Sequence, residues 1–408
     1  MSGAGAEMLK MVLIGAGSAM FTRGLVADMI VSRDMGSWEL GLVDIDPEAL
    51  EVAAKLSEHM IQTRGAPIKV SASTDRRQVL PGADIVVCTI GVGGRRAWED
   101  DVFIPRKFGI YQPVGDTVMP GGISRAQRMI PAMVEIAHDV AELCPGAWFF
   151  NYSNPMTANC SAVRKVTGLD MVGLCHGTFH VQHQLASYVD TPPGEVTALF
   201  IGLNHLTFIF DLRWRGSDLW PHIREKIDLE KVQSPQSSGS FYTENLFSWS
   251  LFERYGAYPS ANDRHVVEFF PERFPGGSYY GKTLGMDAYS FEGTIANGDR
   301  IYAEMRAQAL GEQPVDESIF NRASGEHEQL LNIIAGLRSD SREVFAVNLP
   351  NKGMVPGLPG DAILECPAVA TARGLQAIHI PDISPSLTAI LSRKLSATTL
   401  TVEAALSG

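Results

Sequence analysis

Short apolar runs alternate with helix-spaced patterns through the first 150 residues. Met11–Ile14, Leu40–Val43, Ile68–Ser71 and Ile85–Ile90 read as strands, with helices at Ala19–Ser32 and Pro47–Thr63 between them. That alternation predicts βαβ units on a parallel sheet. Ser124–Leu143 sets Met129, Met133, Ile136, Val140 and Leu143 at spacings of three and four, which predicts a long helix, and Trp148–Tyr152 follows as a buried strand. After Asn151 the texture changes. Met171–Leu174 and Leu199–Asn204 read as strands, with a helix after Cys175, and Thr207–Trp214 alternates as a half-buried antiparallel strand would. Lys231–Ser240, rich in Ser, Gln and Pro, reads as a surface loop, and Pro259–Gly285 has little periodicity. Tyr302–Leu310 and Gly325–Arg338 return to helix. The expectation is an α/β fold: a Rossmann-like doubly wound parallel sheet in residues 1–195, then a mixed α+β domain in 196–408 for substrate and oligomer contacts.

The chain has 408 residues, 45% of them hydrophobic, which excludes intrinsic disorder, a disulfide scaffold or a fibrous repeat as the overall description. Its net charge of −12, from 34 Lys and Arg against 46 Asp and Glu, argues against a general nucleic-acid binder, which a polyanion would repel. Met8–Met20 and Ala83–Val92 are the longest apolar stretches, and both are too short and too broken for the ~20 residues of a membrane span. The opening MSGAGAEMLK lacks the regions of a secretory signal, so a cytoplasmic enzyme is expected. Five scattered cysteines, Cys88, Cys144, Cys160, Cys175 and Cys366, do not resemble an oxidised framework; one with a special role would act as a single thiolate.

Strand Met11–Ile14 runs into Gly15-Ala16-Gly17-Ser18 and then a helix. Glycines there let the backbone approach a pyrophosphate seated on the helix N–H groups. Met20 replaces the third glycine of G-x-G-x-x-G, so an ordinary tight turn fits the same residues. Asp44 ends the second strand, 27 residues after Gly17, where a carboxylate accepts the ribose hydroxyls and repels a 2′-phosphate. This favours NAD over NADP, although a cap on the helix at Pro47 would also use Asp44. Thr89 and Gly91 follow another strand, at the edge where such sheets bind ligands.

Four polar patches complete the candidate chemistry: Gln112–Thr117 with Asp116, Asn151–Met156 with Asn151 and Asn154, Gly173–Gly177 with Cys175 and His176, and Gly202–Leu206 with Asn204 and His205. Taken singly, Asp116 is a turn residue, the asparagines are Asx turns, Cys175 a small core residue and His205 a satisfied core histidine.

Taken in order, GAGSAMFT, LVDID, GDTVMPGGISRAQRMIP, NYSNPM, GLCHG, GLNHL, YGAYPSANDRH and VPGLPGDAILECP resemble glycoside hydrolase family 4, the NAD- and Mn²⁺-dependent glycosidases, over nearly the whole chain. The family also lacks the third glycine. The resemblance implies an architecture like that of lactate and malate dehydrogenases, with NAD held by Gly15, Gly17, Ser18, Asp44, Thr89, Gly91 and Asn151. It implies that Cys175 and His205 ligate the metal. A thiolate with an imidazole would by ligand type suggest Zn²⁺; the family's Mn²⁺ is completed by substrate and water oxygens. Catalysis begins, the resemblance implies, with hydride transfer from C3 of the sugar, followed by loss of the C2 proton, elimination, water addition and re-reduction, in place of the two-carboxylate displacement of most glycosidases. By position His176 is the acid, Asp263 the base and Asp116 its support, with Tyr258 a second candidate base; Asn154 binds sugar. Asp263 as an exposed loop carboxylate paired with Arg264 is the plain alternative.

Cys175-His176-Gly177 is similar to members acting on unphosphorylated α-glycosides, and its C-H-G form to those accepting uronic acids; Arg125 or Arg264 would hold a C6 carboxylate bidentately. A glucuronide, a galacturonide and a neutral α-glucoside all stay open. So does a plain NAD-dependent hydroxy-acid dehydrogenase, in which a Cys175–His205 metal pair has no role. The family's dimers and tetramers imply a homodimer or homotetramer with a small-molecule partner.

Overall fold

The computed structural model describes residues 8–32, 35–233, 240–321 and 328–408. Its first half is β1 (Leu9–Ile14), α1 (Thr22–Val31), β2 (Trp38–Val43), α2 (Pro47–Arg64), β3 (Ile68–Ser73), β4 (Ile85–Cys88), α3 (Gly94–Arg106), α4 (Met119–Leu143), β5 (Trp148–Asn151), α5 (Met156–Thr167), β6 (Met171–Gly173) and α6 (Gly177–Tyr188). The strands lie in the order 3-2-1-4-5-6, every pair parallel, which is the doubly wound dinucleotide-binding arrangement. Met11, Val12 and Leu13, Ile85, Val86 and Val87 are fully buried, as strands covered on both faces require.

The second half adds β7 (Val196–Leu203), β8 (Leu206–Trp214), α7 (Trp220–Gln233), α8 (Leu246–Tyr255), α9 (Asn262–Val266), α10 (Phe291–Ala309), α11 (Glu328–Ser339), β9 (Val344–Pro350), β10 (Ile363–Thr371) and α12 (Pro385–Ser407). Its strands are antiparallel and join the same sheet: Asn348 of β9 pairs with Gly173 of β6, β10 lies on β9, and Glu365 of β10 pairs with Gly202 of β7. Residue 195 falls in the turn Pro193–Glu195 just ahead of β7, and the sheet runs uninterrupted past it. One apolar cluster joins Met11, Leu13, Leu40 and Ile85 to Met305 of α10, Leu330 and Ile334 of α11 and Phe345 and Val347 of β9.

Several boundaries differ from the pattern reading. Helix α1 starts at Thr22 rather than Ala19, and α4 starts five residues before Ser124 because Pro120 at its first turn and the close-packed Gly121 and Gly122 continue it. The expected loop at Lys231 is still helix through Gln233; residues 234–239 lie outside the described residues, as do 325–327 ahead of α11. Pro259–Gly285 is a series of short elements, among them α9 and the two-residue strands Ser278–Tyr279 and Lys282–Thr283. No helix among the described residues is long and apolar enough to cross a membrane.

Candidate active site

Each parallel strand of the first half points its carboxyl end at one edge, and the motif residues gather there. Gly15 turns at φ +93°, where a Cβ would meet the Thr89–Ile90 backbone at 2.8 Å, so only glycine fits. Thr89 Oγ1 donates to Gly15 O at 3.0 Å and ties β4 to this loop. Asp44 accepts from Gly17 N at 2.8 Å and Asp46 N at 3.0 Å. The cap of α2 is Asp46, not Asp44, so the capping account of Asp44 does not hold. Helix α1 has no side-chain cap, which leaves its first N–H groups for an anion. Asn151 is fully buried, its amide spent within its own turn on Ser153 N and Ser153 O. Gly91 sits against Arg125, whose Nη2 would lie 3.6 Å from a Cβ there.

Two residues beyond the metal-ligand candidates named from sequence, Asp116 and His265, enter the site. Asp116, His205 and His265 place one ligand atom each within 4.8 Å of one another, a carboxylate with two imidazoles. His205 occupies the tight β7–β8 turn at φ +68°, in a register that only Gly202 permits, because a Cβ on residue 202 would fall 2.1 Å from Leu206 O. The ring Nδ1 of His205 shares a hydrogen bond with Thr117 Oγ1 at 2.8 Å, and that hydroxyl donates to Asp116 Oδ1 at 2.6 Å. A hydroxyl has one proton, so His205 donates through Nδ1, and Nε2 keeps its lone pair for a metal. The His265 ring lies 4.0 Å from that of His205. Burial pushes both imidazoles down, and keeps them neutral ligands. Burial alone would raise Asp116, but His205, His265 and Arg125 outweigh it and hold the carboxyl at about 2. Asn154 Nδ2 fixes the other oxygen at 2.8 Å.

His205 and His265 line a cavity of about 1070 Å³ together with Cys175, His176, Arg264 and Tyr279. Cys175 is half-buried at the entry to α6, where Gly177 N donates to its Sγ at 3.4 Å. It does not belong to the close trio of ligand atoms.

Residues 10–191 match the model of the family 4 glycosyl hydrolases, and residues 200–408 that of the family's C-terminal domain. The chain belongs to glycosyl hydrolase family 4. Among family relatives, an alpha-glucosidase of Erwinia rhapontici is 33% identical over 98% of this chain and 90% of its own length. An alpha-galacturonidase of Bacillus subtilis (strain 168) is 31% identical over 96% and 88%. A solved 6-phospho-alpha-glucosidase from gut microorganisms, in complex with NAD and Mn²⁺, superposes with a TM-score of 0.83 at 20% identity, covering 98% of this chain and 90% of that one.

In this family 4 chain the two base candidates stand back from the cavity. Asp263 is fully buried and takes four donors: Phe247 N at 2.8 Å, Ser248 N at 2.7 Å, Ser248 Oγ at 2.5 Å and Tyr279 Oη at 2.6 Å. It is neither exposed nor paired with Arg264, which donates to Thr294 Oγ1 at 3.0 Å; the loop ion pair is therefore corrected. Burial raises the Asp263 pKa against the pull of those donors. Tyr258 is fully buried against Trp249, its hydroxyl donating to Asn262 at 3.2 Å. Arg125 lies outside the cavity lining, with its Nε on Asn154 O at 3.0 Å, whereas Arg264 faces the cavity. His265 was missed from sequence; its one signal was a second metal-capable side chain two residues after Asp263.

Proposed function

We propose that this chain hydrolyses unphosphorylated α-glycosides, α-glucuronides or α-galacturonides among them, through NAD-dependent oxidation at C3, deprotonation at C2, elimination, water addition and re-reduction. The observation that carries the proposal is that Cys175, His176, His205 and His265 converge on one cavity just past the carboxyl end of β6, on the parallel sheet whose β1 and β2 end in the glycine loop and Asp44. The names of the relatives, an alpha-glucosidase and an alpha-galacturonidase, support the substrate class.

The residues fit both groups the family employs. The uncapped start of α1, the tight Gly15 turn and an Asp44 held by the Gly17 and Asp46 amides rather than capping α2 suit NAD. Asp116, His205 and His265 offer one oxygen and two nitrogens, a donor set that suits Mn²⁺, and Cys175, the other ligand expected from sequence, lines the same cavity as the two histidines. When bound, NAD⁺ supplies a hydride acceptor and the metal a Lewis acid that polarises oxygen at C3. The chain itself does the rest. Asp116 and Asn154 form one hydrogen-bonded wall, and Arg264 faces the cavity as a cation for a C6 carboxylate. His176, at the cap position of α6, is placed to give its proton to the leaving oxygen. Asp263 acts on the C2 proton only through Tyr279, which lines the cavity and donates to it.

The neutral α-glucosidase reading is favoured by the 33% identity to the Erwinia enzyme. Purified protein with NAD⁺ and Mn²⁺, offered nitrophenyl α-glucuronide, α-galacturonide, α-glucoside and the glucoside 6-phosphate, decides among these. We expect nitrophenol release without net NADH and a higher kcat/KM for an unphosphorylated sugar; preference for the 6-phosphate overturns the substrate assignment. NADH accumulating with a simple hydroxy acid would reveal a dehydrogenase. A homodimer or homotetramer, measured by light scattering, and a cytoplasmic location, in keeping with five cysteines outside any disulfide, complete the proposal.

A further inference from the structure

The late motif Ile363-Leu364-Glu365-Cys366-Pro367 has no part in the chemistry above, yet it sends a carboxyl group beneath the metal site. Glu365 is 1% exposed in the middle of the sheet, on β10 opposite Gly202. Its Oε2 stands 2.6 Å from Thr207 Oγ1. The side chains of Thr178 and Asn204 reach the same carboxyl closely enough to pull its pKa down. Thr178 Oγ1 shares a hydrogen bond with Ser260 Oγ at 3.0 Å, and Ser260 N donates to Thr207 O at 2.6 Å. Two segments of the site therefore meet on one side chain, since Thr178 sits two residues after His176 and Asn204 and Thr207 flank His205; Ser260, which leads into the α9 helix of His265, joins them through Thr178 and Thr207.

We propose that Glu365, in its uncharged form, is a positioning residue that locks the His205 turn and the start of α6 in register beneath the metal site. This rests on the metal reading above. The proton count supports the uncharged form. Thr207 Oγ1 faces two acceptors, Glu365 Oε2 and Leu203 O at 3.1 Å, and has one proton. A protonated Glu365 donates to Thr207, which passes its own proton to Leu203 O and closes the turn. The Asn204 amide is fully buried with neither atom at full hydrogen-bonding geometry, and Glu365 Oε1 is in the same condition. These atoms are mutual complements, because the amide N–H can serve Oε1 without a charge. No cation contributes to the Glu365 environment, and burial pushes its carboxyl up to about 7.

Glu365→Gln keeps a donor and an acceptor in the same shape, whereas Glu365→Ala removes both. Mn²⁺ affinity, read by the electron paramagnetic resonance of the free ion, should fall about 10–100-fold in Glu365→Ala and stay within about threefold of the parent in Glu365→Gln. Thr207→Val, which deletes only the bridging hydroxyl, should resemble Glu365→Ala and serves if that variant does not fold. Parent-like affinity in Glu365→Ala, or in Thr207→Val where that stands in, overturns the proposal; so does a Glu365→Gln as weak as Glu365→Ala, which would show that the charge is needed. His205→Ala in the same assay separates the two readings. Loss there with full binding in Glu365→Ala rejects the positioning role alone, and full binding in His205→Ala rejects the metal site itself.

Discussion

Asp116 and His265 add to the metal-ligand pair that residue identity suggested, Cys175 and His205, which line one cavity. From the sequence, Cys175 and His205 were the visible pair, because each stands in a glycine-flanked motif at a strand end. His265 sits in an aperiodic stretch, and only the passage of the chain from β8 through the short strand Tyr258–Pro259 lays its ring on that of His205. The distinction is testable. His265→Ala and His205→Ala should each weaken Mn²⁺ binding at least 10-fold, while Cys175→Ser, outside the close trio, should cost less; calorimetric titration of each variant checks the order. NAD binding, read by fluorescence quenching, should persist in all three, because the glycine loop lies on other strands. At the base, Asp263→Asn and Tyr279→Phe should each lower kcat more than they raise KM, since both act on a proton transfer rather than on binding. A normal kcat in Tyr279→Phe would remove Tyr279 from the proton path.

At the scale of elements, the inner parallel strands β1, β2 and β4 were legible because burial on both faces demands near-continuous apolar residues. The β7–β8 hairpin was legible as antiparallel from its alternation, although Leu206–Ile209 is buried throughout and only the later part alternates. Helix α12 escaped notice because Leu387, Leu391 and Leu395 are spread among Ser and Thr on a helix that packs against α4 and α5. Strand β9, which ends in Pro350, was not read from the sequence; it fills the gap between β6 and β10. The hairpin is also the element most exposed to a small change. Gly202→Ala would force a methyl to within 2.1 Å of Leu206 O, so we expect a cost of about 3 kcal/mol or more and loss of Mn²⁺ binding together, measured by chemical denaturation and metal titration.

Across the whole molecule, the buried carboxyls Glu268 and Glu365 should set the pH response, Glu268 with the larger share. Glu268 is 3% exposed and accepts from Val114 N at 2.7 Å and Gly115 N at 2.9 Å. Burial, reinforced by the Asp116 charge, outweighs those bonds and lifts it from 4.5 to about 8. The folded state therefore keeps a proton that the unfolded chain releases near 4.5, so stability falls as pH rises from about 4.5 to 8 and levels off above. Glu268→Gln, which cannot titrate, should flatten that decline, with a gain over the parent on the order of a few kcal/mol at pH 8 and little at pH 5. Parallel slopes of denaturation free energy against pH for the two proteins would contradict it. The apolar cluster that joins β1 and β4 to α10, α11 and β9 carries a consequence for how this chain can be built and divided. Neither half can close its own interior. A fragment ending near residue 195 would bare Met11, Leu13 and Ile85 on the face that α10 and α11 cover, and would be expected to precipitate when expressed alone, whereas the two fragments produced together should recover each other as a soluble pair.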